Sequence, residues 1–181
     1  MISLVLGGGR SGKSEVGERL AELRALAGSE GCVRREPSVT YVATALTGRG
    51  DPDFDARIAR HRARRPPAWV TLEVAAGEVL SAALGASGVV LVDSLGTWVA
   101  GHDDFVVDVE DLISALERRK ADGWPTVLVS DEVGLGVHPE TAAGLSFRDA
   151  LGELNRRVAA VADDVRLVVA GRVLVMPKED R

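Results

Sequence analysis

Gly7-Gly-Gly-Arg-Ser-Gly-Lys-Ser14 follows the apolar run Ile2 to Leu6 and opens an amphipathic stretch from Glu15 onward. A strand that turns through GxxxxGKS into a helix is the setting of a phosphate-binding loop. Gly7, Gly8, Gly9 and Gly12 let successive backbone N–H groups converge on a phosphate chain, and Arg10 and Ser11 complete the loop. The first turn of the following helix adds unpaired donors and the positive end of its dipole. Lys13 is placed to reach the β- and γ-phosphates, and Ser14 to ligate Mg²⁺. A turn that bound nothing would need neither side chain.

Outward from the loop, five apolar runs read as buried strands: Ile2 to Leu6, Val39 to Ala43, Val89 to Val92, Thr126 to Ser130 and Val165 to Ala170. They lack clean alternation, as expected of parallel strands covered on both faces. Helical patterns lie between them. The first places Val16, Leu20 and Leu23 on one face, a second over Val109 to Lys120 places Leu112, Ile113 and Leu116, and a late helix repeats Phe147, Leu151, Leu154, Val158 and Val161. Strands alternating with helices predict one α/β domain over residues 1–181, a P-loop NTPase-like, mostly parallel sheet flanked by helices. Val173 to Met176, after Gly171, reads as a short antiparallel edge strand.

With 181 residues, 46% of them hydrophobic, the chain suits a single core. Its net charge of −5 argues against a general nucleic-acid binder, so any anion site is local. Cys32 is the one cysteine, which excludes a disulfide framework and a cysteine-based zinc site and fits a reducing cytoplasm. No apolar run approaches the roughly 20 residues of a membrane span, and no targeting segment is evident.

Two segments break the rhythm. Gly48 to Asp53 is a polar connection after which Asp53 can cap a basic helix from Phe54 to about Arg65, ended by Pro66-Pro67. Asp131 to Leu145 is a glycine-rich loop containing Pro139. Loops at the carboxyl ends of parallel strands are where such folds place chemistry. Asp93, ending Val89-Val-Leu-Val-Asp93, fits the acidic residue that a phosphate loop needs for Mg²⁺, its plainer alternative being a cap on the helix that begins near Ser94. In Arg57-Ile-Ala-Arg-His61-Arg-Ala-Arg-Arg65 the cations surround one imidazole. Such a run is commonly a solvated helix face. Its chemical alternative is a neutral imidazole nucleophile, His61, with Arg62, Arg64 and Arg65 neutralising a phosphate under attack.

Taken in order, GGGRSGKS, Tyr41-Val-Ala-Thr-Ala45, the RIxxHRxxR-Pro segment ending at Trp69, Leu91-Val-Asp93, and Val129-Ser-Asp-Glu-Val-Gly-Leu-Gly136 with Pro139-Glu140 resemble a known family. So do Phe147-Arg-Asp149 and Asn155-Arg156. It is the bifunctional adenosylcobinamide kinase/adenosylcobinamide-phosphate guanylyltransferase family of cobalamin biosynthesis. The resemblance implies that His61 attacks the α-phosphate of GTP and carries GMP covalently. It also implies nucleotide-binding roles for the phosphate loop, Ala43, Thr44, Ala45, Arg62, Ala63, Arg64, Arg65, Glu73 and Asp93. The role of Glu73 rests on the resemblance alone. Where some members carry a second histidine immediately before the nucleophile, this chain has Arg60 before His61; where they often carry Asn, it has Asp131, which is left outside the expected site.

The expected substrates are therefore a corrinoid small molecule, GTP as GMP donor, and ATP or GTP as phosphate donor with Mg²⁺. A homo-oligomer, a trimer, is implied by the family. A single-activity P-loop small-molecule or nucleotide kinase would show γ-phosphoryl transfer without pyrophosphate release. A GTP-dependent switch would carry an Asn-Lys-x-Asp tetrad, and this chain has none. His102 and His138 read as surface residues.

Overall fold

Every residue of β1 (Ile2–Gly7) is buried, because the strand is flanked on both sides and covered on both faces. The structure is a computed structural model describing residues 1–27, 39–44, 56, 59 and 62–178. β1 lies between β5 (Thr126–Asp131) and β6 (Asp164–Val169), parallel to both. With β2 (Val39–Ala43), β3 (Val70–Glu73), β4 (Val89–Asp93) and β7 (Arg172–Met176), they form a sheet of order β3-β2-β4-β5-β1-β6-β7. All pairs are parallel except β6 with β7. This is the predicted α/β domain with its antiparallel edge.

The strand β3 was not among the five apolar runs. All four of its residues are exposed, so it carries no buried signature. β4 and β5 each run one residue further than the apolar pattern, ending on the carboxylates Asp93 and Asp131. β6 instead stops at Val169: Ala170 and Gly171 have φ of 49° and 75°, a two-residue turn whose twist matches that of the flanking strands.

α1 (Lys13–Ala27) covers one face, where Leu20, Ala21 and Ala25 meet Val5, Tyr41, Leu91, Val127 and Val129. The other face carries α2 (Ser81–Leu84), α3 (Leu95–Val99), α4 (Val109–Ala121) and α5 (Ala142–Val161). There Leu4, Val42, Val92 and Leu128 pack with Trp98, Leu112, Leu116, Leu151 and Leu154. Each such aliphatic side chain contributes about 1.5–3 kcal/mol on burial. The faces assigned to α4 and α5 hold, but α1 differs from expectation. Leu23 is 55% exposed, and the buried line runs through Gly17, Leu20, Ala21 and Ala25. α1 lies so close to the sheet that a Cβ on Gly17 would stand 2.6 Å from Val129 Cγ2. Gly17 and Ala21 allow that close approach, which leaves room for a large side chain only at Leu20 along the buried line.

The glycine-rich connection is also shorter than its sequence suggested. Asp131 belongs to β5, and α5 already begins at Ala142, capped by Thr141 Oγ1, which accepts from Gly144 N at 3.1 Å. Cys32, the Gly48 to Asp53 connection and its cap Asp53 lie outside the described residues. Of the basic helix, Ala56, Ala59 and Arg62–Arg64 are described and helical. Among the described residues no helix is long and apolar enough to cross a membrane.

Candidate active site

The carboxyl ends of the parallel strands bring the predicted residues into one row. Register sets Glu73 beside Ala43 and Ala43 beside Asp93, while Gly7 stands beside Asp131. The phosphate loop closes the row over β1. Gly7 has no room for a side chain, since a Cβ there would lie 2.8 Å from the Val168 carbonyl oxygen, and Gly12 adopts φ of 92°. Ser11 N donates to Gly8 O at 3.3 Å, Val16 N to Gly12 O at 3.1 Å, and Gly171 N, at the tip of the β6–β7 turn, to Ser11 O at 2.8 Å. The hairpin at the sheet edge thus braces the loop from outside.

Lys13 and Ser14 open α1 and point to different strand ends. Lys13 Nζ donates to Gly8 O at 3.2 Å and pairs with Asp131 Oδ1 at 2.6 Å. Ser14 Oγ donates to Asp93 Oδ1 at 3.2 Å, and Tyr41 Oη donates to Asp93 Oδ2 at 2.7 Å. Burial first, and then the Asp93 carboxylate, raises the Tyr41 phenol far above its ordinary pKa, so the proton stays on tyrosine and the carboxylate accepts. The helix after Asp93 has its own cap: Ser94 Oγ accepts from Thr97 N at 3.3 Å. The Asp93 carboxylate is therefore turned to Ser14 and Tyr41 rather than to α3.

The donor set suits a hard divalent cation. A serine hydroxyl and a carboxylate converge at the head of α1, and Mg²⁺ takes one or two protein oxygens with water and substrate phosphates. Among the described residues no three His, Cys, Asp or Glu side chains converge on a common point. An ion here would depend on the oxygens of a bound nucleotide.

Thr44 and the arginines occupy distinct surroundings. The Thr44 hydroxyl donates to Ser94 O at 2.7 Å, accepts from Ser94 N at 2.9 Å and lies 2.6 Å from Thr97 Oγ1, all within a buried cluster. Its side chain fixes the β4–α3 junction. Arg62 pairs with Glu73 at 2.6 Å, and Arg64 with Glu15 at 2.7 Å and Glu18 at 3.3 Å. The Arg65 guanidinium carbon sits 3.5 Å over the Tyr41 ring centroid, and its Nη1 donates to Thr71 Oγ1 at 3.3 Å. Ala63 is exposed beside them. His61 and Ala45 lie outside the described residues. The other two histidines are elsewhere: His102 contacts Trp98 O at 2.9 Å, and His138 contacts Arg148 at 2.9 Å.

Two residues in this row were not expected there. Asp131 pairs with the loop lysine, and Tyr41 joins Asp93 to Arg65. Both had a signal: Asp131 ends a strand as Asp93 does, and a phenol inside an apolar strand needs a polar partner.

Residues 3–176 match the family model described as cobinamide kinase / cobinamide phosphate guanyltransferase. The bifunctional adenosylcobalamin biosynthesis protein CobP of Pseudomonas aeruginosa is 37% identical over 188 residues, covering 98% of this chain and 96% of its own. The bifunctional adenosylcobalamin biosynthesis protein CobU of Salmonella typhimurium is 34% identical over 192 residues, covering 94% and 97%. Among solved structures, the flagellar accessory protein FlaH of Methanocaldococcus jannaschii aligns with a TM-score of 0.51 at 17% identity, over 95% of this chain and 74% of its own. That last likeness concerns the fold alone.

Proposed function

The chain belongs to the cobinamide kinase / cobinamide phosphate guanyltransferase family, and from that membership we propose that it carries out both reactions at one nucleotide site. The observation that carries the reading is the head of α1, where Ser14 meets Asp93 and Lys13 reaches back over the loop to Gly8 O, beside a segment of arginines. In the first reaction the terminal hydroxyl oxygen on the aminopropanol arm of adenosylcobinamide bonds to the γ-phosphorus of ATP or GTP. The bond from that phosphorus to the β–γ bridging oxygen breaks, the nucleoside diphosphate leaves and the hydroxyl proton is released. Backbone N–H groups from Gly8 to Ser14 hold the phosphates, and Lys13 neutralises the transferring group. Mg²⁺, held by Ser14 and oriented through Asp93, supplies further positive charge when bound.

In the second reaction a ring nitrogen of His61 bonds to the α-phosphorus of GTP and pyrophosphate leaves. A phosphate oxygen of the first product then displaces the histidine, giving adenosyl-GDP-cobinamide. The covalent route divides one displacement into two easier ones. Arg62, Arg64 and Arg65 exchange their present partners for phosphate oxygens in this step, and planar guanidinium groups suit both kinds of partner. Ala43, Thr44, Ala45, Ala63 and Glu73 frame the nucleotide, with Thr44 acting through Ser94. The same reading expects a homo-oligomer, a trimer, working in the cytoplasm.

Purified protein incubated with adenosylcobinamide, GTP and Mg²⁺ is expected to give phosphorylated and then GDP-linked product by mass. A phosphorylated product without any GDP-linked one would instead favour a single-activity kinase, and neither product would overturn the substrate assignment.

A further inference from the structure

Tyr41 belongs to no phosphate-binding motif, yet it touches both halves of the site. It lies within β2 and is 2% exposed. Its hydroxyl donates to one oxygen of Asp93 at 2.7 Å, and the other oxygen of that carboxylate accepts from Ser14 at 3.2 Å. The Arg65 guanidinium covers the same ring at 3.5 Å from the centroid, immediately after the helical residues Arg62–Arg64. One side chain therefore links the head of α1 to the basic segment whose sequence includes His61.

Each contact has a chemical consequence. A carboxylate with one oxygen held by a phenol cannot turn freely, so its second oxygen stays toward Ser14, where a cation would be held. A phenylalanine would fill the same space without the desolvation cost of a buried hydroxyl, and the retained hydroxyl is matched to this one acceptor. The ring face, rich in electron density, attracts the guanidinium that lies on it.

We propose that Tyr41 is a positioning residue that couples the two reactions: its hydroxyl orients Asp93 toward Ser14 and the magnesium nucleotide, while its ring seats Arg65 and the basic segment against that same nucleotide. The inference rests on the reading of this site as a magnesium-nucleotide site.

The test uses the full chain and its GTP affinity with Mg²⁺ and with EDTA. In Tyr41→Phe the enhancement of GTP binding by Mg²⁺ is expected to fall roughly tenfold, the scale of a lost hydrogen bond to a charged group, while binding in EDTA changes by less than about twofold. A general packing defect would weaken both alike. Tyr41 is the only tyrosine in the chain, so ¹³C-tyrosine labelling yields a single ring signal. Arg65→Met is expected to shift that signal in the nucleotide-free protein. A magnesium enhancement that survives intact in Tyr41→Phe, or a tyrosine signal unmoved in Arg65→Met, would overturn the proposal alone. A wild-type chain that binds GTP equally with and without Mg²⁺ would overturn the magnesium-nucleotide reading and this one with it.

Discussion

The phosphate loop and the arginine segment are neighbours built by different means. Backbone hydrogen bonds fix the loop: Ser11 to Gly8, Val16 to Gly12, and Gly171 of the β6–β7 turn to Ser11. Arg62–Arg65 form a turn of their own, with Arg65 N donating to Arg62 O at 3.3 Å, but Arg62, Arg64 and Arg65 meet the rest of the domain through side chains, and the Arg62–Glu73 pair has 51% and 68% of its two side chains exposed. Exposed pairs of this kind contribute about 0–1 kcal/mol each. The difference suits two tasks. An anchor for the β- and γ-phosphates gains from being rigid before the ligand arrives, because no reorganisation is then needed. On the proposed reading, a set of guanidinium groups that reaches an α-phosphate gains from partners it can surrender.

The largest effect is expected from the anchor. Lys13→Ala should lower kcat/KM for γ-phosphoryl transfer by about 10²- to 10³-fold, the scale of losing one preorganised charge at the transferring group. Steady-state kinetics with near-native thermal unfolding would check it, and a loss under tenfold would remove the loop's privileged place in the comparison. Next comes the partner of that lysine. Asp131 pairs with Lys13 at 2.6 Å; if Lys13 binds phosphate as proposed, the carboxylate competes for it, and Asp131→Asn should tighten nucleotide binding by roughly three- to tenfold in calorimetric titration. Weaker binding in that variant would mean that the carboxylate assists the nucleotide rather than opposing it. The smallest effect belongs to the arginine segment. Glu73→Gln should change the urea unfolding free energy by less than about 0.5 kcal/mol, and a loss of about 2 kcal/mol or more would show a segment as firmly built as the loop.

How much of this was legible in the sequence follows from where each residue takes its partners. β1, β2, β4 and β5 were legible because burial on both faces leaves nearly continuous apolar runs. β6 and β7 are largely unburied and showed through their aliphatic residues around Gly171, whereas β3, short and exposed along its length, left no such run. The phosphate loop was legible because its partners are local: glycines, a lysine and a serine in one turn. Leu23 misled because helical periodicity reports which residues could be buried, not how closely the helix approaches its sheet, and Gly17 and Ala21 settle that distance. Asp131 and Tyr41 were passed over because their partners are distant in sequence. Lys13 meets Asp131 only through the pairing of β1 with β5, and Tyr41 meets Asp93 only through that of β2 with β4. Glu73 entered through resemblance, and register then set it beside Ala43, one strand from Asp93.

The sharpest separation of the two regions is a double-label experiment on adenosylcobinamide with Mg²⁺ and GTP carrying distinguishable labels on its α- and γ-phosphates. Wild-type protein should place the γ-label and then the α-label in the corrinoid product, and should carry acid-labile α-label on the enzyme. His61→Ala should still transfer the γ-label, accumulate the phosphorylated corrinoid and carry no α-label. Undiminished α-label in His61→Ala, on the enzyme or in the product, would contradict the assignment of guanylyl transfer to the arginine segment.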